Sequence, residues 1–141
     1  MTSTVQHTSV NPWTWQEALG YSQGVLVEHP HRTLHLSGQC SIGPDGTPLH
    51  LGDMAGQAQQ AMDNVQTVLD AAGLTLADVV RYDVYTTDIG TYLTSGHQHV
   101  AGRFAGAGVG AGVLPAGGIC AQVQSLAMDG LMVEVVVTAV R

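Results

Sequence analysis

The sequence contains no lysine, and its positive charge comes from four arginines in a chain of 141 residues. Eleven acidic residues outweigh them and give a net charge of −7. Proteins that bind nucleic acid neutralise phosphates with lysine and arginine, so we expect no nucleic-acid partner. The lack of lysine also excludes a lysine Schiff base, and with it covalent pyridoxal phosphate chemistry.

Long apolar runs and cysteines are scarce as well. No apolar run approaches the roughly 18 residues that a membrane-spanning helix needs. The first ten residues, MTSTVQHTSV, have neither the basic region nor the apolar core of a signal peptide. We therefore expect a cytoplasmic protein with no membrane partner. The two cysteines, Cys40 and Cys120, are not spaced like metal ligands, so we expect reduced thiols.

The length and composition predict one domain over residues 1–141, with residues 1–19 as an N-terminal tail and lead-in. The chain is 45% hydrophobic and 11% charged, which is enough apolar material for a buried core. Residues 1–12 have the character of a loose tail. Residues 24–28 and 33–36 predict two strands, and the turn around Pro30 between them predicts a β-hairpin.

A long helix is predicted after Asp53, whose side chain suits an N-cap. Apolar residues recur every three or four positions along it, as on the buried face of a helix. Gly73 is a typical C-terminal stop. The apolar face consists of Met54, Ala58, Ala61, Met62, Val65, Val68, Leu69 and Ala72.

A strand over residues 79–87 and a second helix follow. This helix begins at Asp88 or Thr91 and runs to about Phe104, although Gly96 and Gly102 weaken it. Residues 105–118 are rich in glycine and alanine and predict a flexible loop.

The C-terminal segment predicts a second hairpin, with strands over residues 119–126 and 131–140. The Asp129-Gly130 pair between two apolar runs is a strong hairpin signal. The order of elements is then ββ, α, β, α, ββ. This order predicts an α+β fold, in which a mixed β-sheet carries two helices packed on one face.

Glu134 lies in the middle of the last strand, LMVEVVVTAV. This strand is apolar at almost every position, so we expect both of its faces to be covered. A buried carboxylate is costly unless it is paired or hydrogen-bonded. Glu134 therefore either opens into a cleft or is a satisfied core group, and the pattern leaves both interpretations open.

The remaining candidate groups give weaker signals. Cys120 is either a nucleophile or a small strand residue with a weak thiol. His97 and His99 do not share a helix face, so they are badly spaced for one metal ion. The GAGVGAG run lacks the preceding strand and following helix of a phosphate cradle. We expect neither a metal site nor a cofactor.

Several separated pieces of the sequence occur in the order found in one family. The chain resembles the Rid family of reactive-intermediate deaminases, also called the YjgF family, from about Gly20 to Arg141. No single piece is specific, but the ordered set is. The pieces are Gly20-Tyr21-Ser22-Gln23, Ser37-Gly38-Gln39, Pro44-Asp45-Gly46-Thr47, Gln57 with Asn64, Ala72-Gly73, Asp78-Val79-Val80, Val84-Tyr85, Asp88 and Val133-Glu134-Val135.

The resemblance implies a chorismate-mutase-like fold and a homotrimer with a cleft at each subunit interface. In the deaminases, a glutamate on the last strand positions water that hydrolyses an enamine or imine, and Glu134 matches it. An arginine in a Pro-Ala-Arg-Ser-Cys-type segment grips the substrate carboxylate. Here that position is Gly118. The substrate-binding positions implied by the resemblance are Tyr21, Ser37, Gly38, Gly118, Ile119 and Cys120.

Three functions remain open. One is an enzyme that acts by acid–base and water chemistry on an imine, enamine or related small electrophile. The second is a non-catalytic trimer that binds or senses a small molecule, and the third is an interaction or chaperone-like protein or a ribonuclease. Without the arginine we expect weak deamination of 2-aminoacrylate, and we expect Gly118→Arg to raise it. The few cations argue against the ribonuclease activity attributed to some relatives.

Overall fold

The computed structural model describes residues 4–107 and 113–141. Short 3₁₀ turns lie at Glu17–Leu19 and Leu76–Asp78, and a π-helical turn lies at Tyr92–Gly96. The strands are β1 (Gln6–Val10), β2 (Gly24–Glu28), β3 (Thr33–His35), β4 (Gln39–Cys40), β5 (Val79–Thr86), β6 (Ala116–Gln122) and β7 (Val133–Val140). The helices are α1 (Met54–Ala71), α2 (Ile89–Thr91) and α3 (His97–Gly106).

The main sheet has the strand order β3-β7-β5-β6, and β4 also pairs with β7. The β5–β6 pair is parallel, whereas β7 is antiparallel to β3, β4 and β5. This is the predicted mixed sheet of an α+β fold. A separate two-stranded ribbon joins β1 and β2.

The predicted C-terminal hairpin is wrong. The turn at Asp129-Gly130 is present, with Gly130 at φ 84°. However, β6 and β7 do not pair with each other, because β5 lies between them and pairs with both. β7 instead pairs with β5 along most of its length, and β3 and β4 share its other edge. The local turn signal therefore fixed the turn but not the strand pairing.

The predicted hairpin of residues 24–28 and 33–36 is also wrong, as is the loose tail for residues 6–10. β2 pairs with β1, which lies in the expected tail, and β3 pairs with β7. The link between β2 and β3 is held by the end of the chain, since the His31 N–H donates to the Arg141 carbonyl at 2.8 Å. Residues 1–3 of the tail lie outside the described residues.

The long helix predicted after Asp53 is present as α1. The Asp53 side chain accepts a hydrogen bond from the Gly56 N–H, and Gly73 adopts φ 72° after the last turn. The buried face includes Ala58, Met62 and Val65, each fully buried against the sheet. Gln57, which the spacing placed among the polar residues, is also fully buried.

The second helix is a continuous run of α2, the π-helical turn and α3. The Asp88 side chain accepts from the Thr91 N–H, so Asp88 is the N-cap. Phe104 of α3 stacks on Tyr82 of β5, with ring centroids 4.6 Å apart. Both helices thus pack on one face of the sheet. Of the expected Gly/Ala-rich loop, residues 116–118 belong to β6, and residues 108–112 lie outside the described residues.

Alternate residues of β7 face this core. Val133, Val135 and Val137 are buried, whereas Glu134 and Val136 are half-buried on the other side. The expectation that both faces are covered therefore holds for only one face of the single chain. None of the helices within residues 4–107 and 113–141 combines the length and apolar character needed to cross a membrane.

Gln57 generates a stability prediction. Its side-chain amide donates to the Gly130 carbonyl at 2.9 Å and accepts from the Met132 N–H at 2.8 Å, which ties α1 to the start of β7. Gln57→Leu removes two part-buried hydrogen bonds made by a fully buried side chain, so we expect a loss of about 3 kcal/mol in the free energy of unfolding.

Urea denaturation at a fixed protein concentration measures this loss. Gln59→Leu, an exposed position on the same helix, is the matched control and should change stability by less than about 0.5 kcal/mol. Equal stability of the two variants would contradict the structural role of Gln57.

Candidate functional site

Glu134 is held against the backbone of Gly38. A Cβ atom at residue 38 would lie 2.6 Å from the Glu134 Cδ and would overlap its carboxylate. Only glycine leaves this space for the side chain. β4 follows Gly38 and places Cys40 directly opposite Glu134 in the β4–β7 register. The fold therefore fixes the carboxylate between two strands, on the half-covered face of β7.

The thiol of Cys40 lies beside this carboxylate, because the two residues are opposite each other in the strand register. Burial, followed by the charge of Glu134 and hydrogen bonding to it, raises the pKa of Cys40 to about 12. At neutral pH the thiol next to the Glu134 carboxylate is therefore protonated.

A cavity of about 550 Å³ lies between β6 and the second helix. Tyr21 forms part of its wall and packs on Gly117, where a Cβ would lie 2.7 Å from the Tyr21 Cγ. Trp15 makes an edge-to-face contact with Tyr21, with centroids 6.4 Å apart. Among the described residues, the lining is Leu19, Tyr21, Tyr82, Val84, Tyr92, Leu93, His97, Gly117, Gly118, Ile119 and Cys120. This surface is mainly apolar and aromatic.

Burial raises the pKa of three groups that line this cavity, namely Tyr82, Tyr92 and Cys120. Burial is the main reason that the pKa of Tyr82 is raised to about 12, and burial is also the main reason that the pKa of Tyr92 is raised. The pKa of the Cys120 thiol is likewise raised by burial, although the residue is exposed at the surface. A thiol with a raised pKa is a poor nucleophile at neutral pH, which favours a packing and lining role for Cys120.

On the opposite side of β6, Gly118 faces two charged residues of β5. A Cβ at residue 118 would overlap Asp83 Oδ1 and would lie 2.8 Å from Arg81 Nε. Arg81 Nη2 donates to Asp83 Oδ1 at 3.3 Å. A side chain at residue 118 would have to displace this ion pair. An arginine at residue 118 would have to displace the Asp83 side chain before it could bind a substrate carboxylate. The expected gain in activity from Gly118→Arg therefore depends on that displacement.

Within one chain, the predicted site residues fall into two groups. Tyr21, Gly118, Ile119 and Cys120 line the cavity. Gly38 and Glu134 lie together elsewhere, and Ser37 beside them is exposed. Two strands, β5 and β7, separate β6 from β4 in the sheet.

The histidines do not form a metal site in the described ranges 4–107 and 113–141. No group of three or more His, Cys, Asp or Glu side chains there is placed to hold a metal ion. His97 lines the cavity and packs edge-to-face on Tyr92, whereas the His99 ring hydrogen-bonds with Gln59 at 3.2 Å.

Comparison with known proteins decides the family. Residues 15–141 match the family model described as endoribonuclease L-PSP. The chain belongs to this family, which is the YjgF/Rid family. A crystal structure of YyfB from Yersinia pestis, a Rid-family protein of unknown function, covers 100% of both chains with a TM-score of 0.78 and 26% identity. The YjgF structure from E. coli gives a TM-score of 0.67 and 28% identity over 86% of this chain and 87% of that one.

Curated Rid-family relatives match a shorter segment. Human 2-iminobutanoate/2-iminopropanoate deaminase is 39% identical over 74 residues, which is 52% of each chain. Protein DfrA of Myxococcus xanthus is 39% identical over 77 residues, 54% of this chain and 58% of its own length. The matches thus span about half the length of these relatives.

Residues that sequence reasoning missed lie mostly in β5 and the second helix. Arg81, Asp83 and Tyr92 were not singled out from the sequence. The alternation of residues 81, 83 and 85 along the predicted strand is the signal that places their side chains on one face. Nothing in the sequence indicated that the Rid-family position Gly118 would lie against that face, because this depends on the parallel β5–β6 pairing.

The two cysteines of this Rid-family chain should differ in reactivity. We expect iodoacetamide at pH 8 to modify Cys120 in the folded protein and to leave the buried Cys40 unmodified, because its pKa of about 12 suppresses the thiolate. Mass spectrometry of peptides measures the sites. In urea both should react, and Cys120→Ser should remove labelling of the folded protein. Labelling of Cys40 first would contradict this assignment.

Proposed function

We propose that this Rid-family chain hydrolyses an imine, enamine or related small electrophile, with Glu134 as the acid–base group. The observation that carries the proposal is the placement of Glu134: its carboxylate rests on Gly38, lies opposite Cys40 in the strand register and is on the half-buried face of β7. The relatives named as 2-iminobutanoate/2-iminopropanoate deaminases support imine chemistry.

The proposed reaction needs one general base and one water. Glu134 takes a proton from water as the oxygen attacks the imine carbon, and it passes this proton to the nitrogen to give a carbinolamine. The carbinolamine hydroxyl then loses its proton to Glu134, the nitrogen receives that proton, and the C–N bond breaks as the C=O bond forms. Ammonia leaves and a carbonyl product remains. No residue forms a covalent bond with the substrate.

The substrate is proposed to differ from 2-aminoacrylate. A bidentate arginine would hold a carboxylate through two charge-assisted hydrogen bonds, and Gly118 offers none of these. Ser37, Gly38, Tyr21, Gly118, Ile119 and Cys120 are proposed as substrate-binding residues. They fall into two groups in one chain, and two subunits would supply them to one cleft.

We also propose that the chain is a homotrimer with its clefts between subunits. Large apolar side chains are exposed on the single chain: Trp13 and Trp15 are 62% and 63% exposed, and Leu26 is 51% exposed. Val136, on the second face of the sheet, is only half-buried. Exposed apolar side chains of this kind support a protein interface.

Sedimentation equilibrium tests the assembly. We expect a mass of three chains at micromolar concentration. A monomer at that concentration would contradict the trimer and, with it, a site shared between subunits.

The alternative function is a non-catalytic trimer that binds or senses a small molecule. The cavity of about 550 Å³ favours it, because tyrosines and aliphatic residues line this space and no carboxylate does. Ligand binding without turnover of any imine would support this alternative.

Glu134→Gln separates the two functions. It keeps the size of the side chain and removes the base, so on an imine that wild type hydrolyses we expect a loss of roughly 10²-fold or more in rate. The variant should remain folded and trimeric. Glu28→Gln, an exposed glutamate on β2, is the matched control and should keep the wild-type rate. Full activity of Glu134→Gln would show that the assignment is wrong.

A further inference from the structure

The pairing of β5 with β6 is irregular next to Gly118. Tyr82 pairs with Gly117 and Val84 pairs with Cys120, so one residue of β5 opposes two residues of β6. Such a bulge leaves a backbone group without its ladder partner. The Ile119 N–H is instead satisfied by a side chain, since it donates to Asp83 Oδ1 at 2.6 Å.

Asp83 and Arg81 fill the space that a side chain at residue 118 would take. A Cβ atom placed on residue 118 would overlap Asp83 Oδ1 and would lie 2.8 Å from Arg81 Nε. Arg81 Nη2 also donates a hydrogen bond to Asp83 Oδ1 at 3.3 Å. The Arg81 side chain is 54% exposed and that of Asp83 18% exposed. In the described part of the chain, Asp83 Oδ2 and Arg81 Nη1 make no hydrogen bond. An acceptor and a donor are therefore free side by side.

This ion pair lies on the same side of the sheet as Glu134. In the β5–β7 register Asp83 is opposite Val136 and Tyr85 is opposite Glu134, and alternate residues of a strand share a face. Gly118 is one of the proposed substrate-binding residues, so a substrate in that cleft meets the surface that carries Arg81 and Asp83.

We propose that Arg81 and Asp83 form a specificity-determining subsite for an uncharged carboxamide group of the substrate. This inference rests on the proposed function for the reaction itself. The guanidinium donates to the amide oxygen, and the carboxylate accepts from the amide N–H. A substrate carboxylate would meet the negative charge of Asp83 at the same place, which disfavours it. The subsite therefore selects imines that carry an amide rather than an acid.

Asp83→Asn tests the subsite without disturbing the bulge. The new side-chain oxygen can still accept from the Ile119 N–H, but the amide nitrogen is a donor and the negative charge is gone. The probes are 2-oxobutanamide and 2-oxobutanoate, product-like ligands that differ only in the amide and acid groups. Their dissociation constants are measured by isothermal titration calorimetry on the assembled protein.

We expect wild type to bind 2-oxobutanamide about tenfold more tightly than 2-oxobutanoate, which is the scale of one hydrogen bond to a charged group. Asp83→Asn should invert this preference. An unchanged ratio in the variant would overturn the proposal, and so would a failure of wild type to bind the amide at millimolar concentration.

Asp63→Asn is the matched control. It removes the carboxylate from another exposed ion pair, in which Arg103 Nη1 lies 2.6 Å from Asp63 Oδ1 on the helical layer. This variant should keep the wild-type preference. Because the readout is binding, an inverted preference together with no imine turnover would retain the subsite and overturn only the proposed hydrolysis.

Discussion

The structure depends on the pairing of β7 along both of its edges. β5 occupies one edge over most of the strand, and β3 and β4 share the other. Because alternate residues of a strand point to opposite faces, this central position buries Val133, Val135 and Val137 under the helices and turns Glu134 to the open face. A one-residue slip of β7 would bury the carboxylate in the core, where its desolvation would be costly.

The same pairing explains how one short strand can carry a chemical group. β4 has only two residues, yet its position on β7 places Cys40 opposite Glu134 and Gly38 under its carboxylate. On the other side of β5, the parallel β6 introduces a bulge that brings Gly118 to Asp83 and Arg81. Glycine at both positions leaves space that a neighbouring charged side chain occupies. The pairing of the strands therefore determines which charged side chains lie on the face of the sheet opposite the helices.

Local signals predicted the elements well and their partners poorly. The Asp53 cap and the Gly73 stop depend on neighbours within a few residues, and the structure confirms them. Both hairpins failed, because strand pairing is decided by burial across the whole sheet. β7 takes a more extensive partner in β5 than the adjacent turn offers.

The candidate site was predictable only as a set of positions. Glu134 was evident as a charge within an apolar strand, and the family pattern indicated Gly38 and Gly118. The contact between Gly38 and Glu134 could not be read from residues almost 100 positions apart. The role of Asp83 depends on a bulge that joins β5 to a strand more than 30 residues away.

The central claim is that the backbone at residue 38 positions Glu134 for hydrolysis of an imine. The most direct test is to measure the rate of ammonia release by wild type and by Gly38→Ala. The added Cβ would force the carboxylate to rotate away, while the exposed strand end can tolerate a methyl group. Imines carrying an amide or an acid, generated in the assay, serve as substrates. The account predicts rapid ammonia release by wild type and a rate in Gly38→Ala that falls toward the uncatalysed rate, with folding unchanged. Equal rates for the two proteins would contradict it.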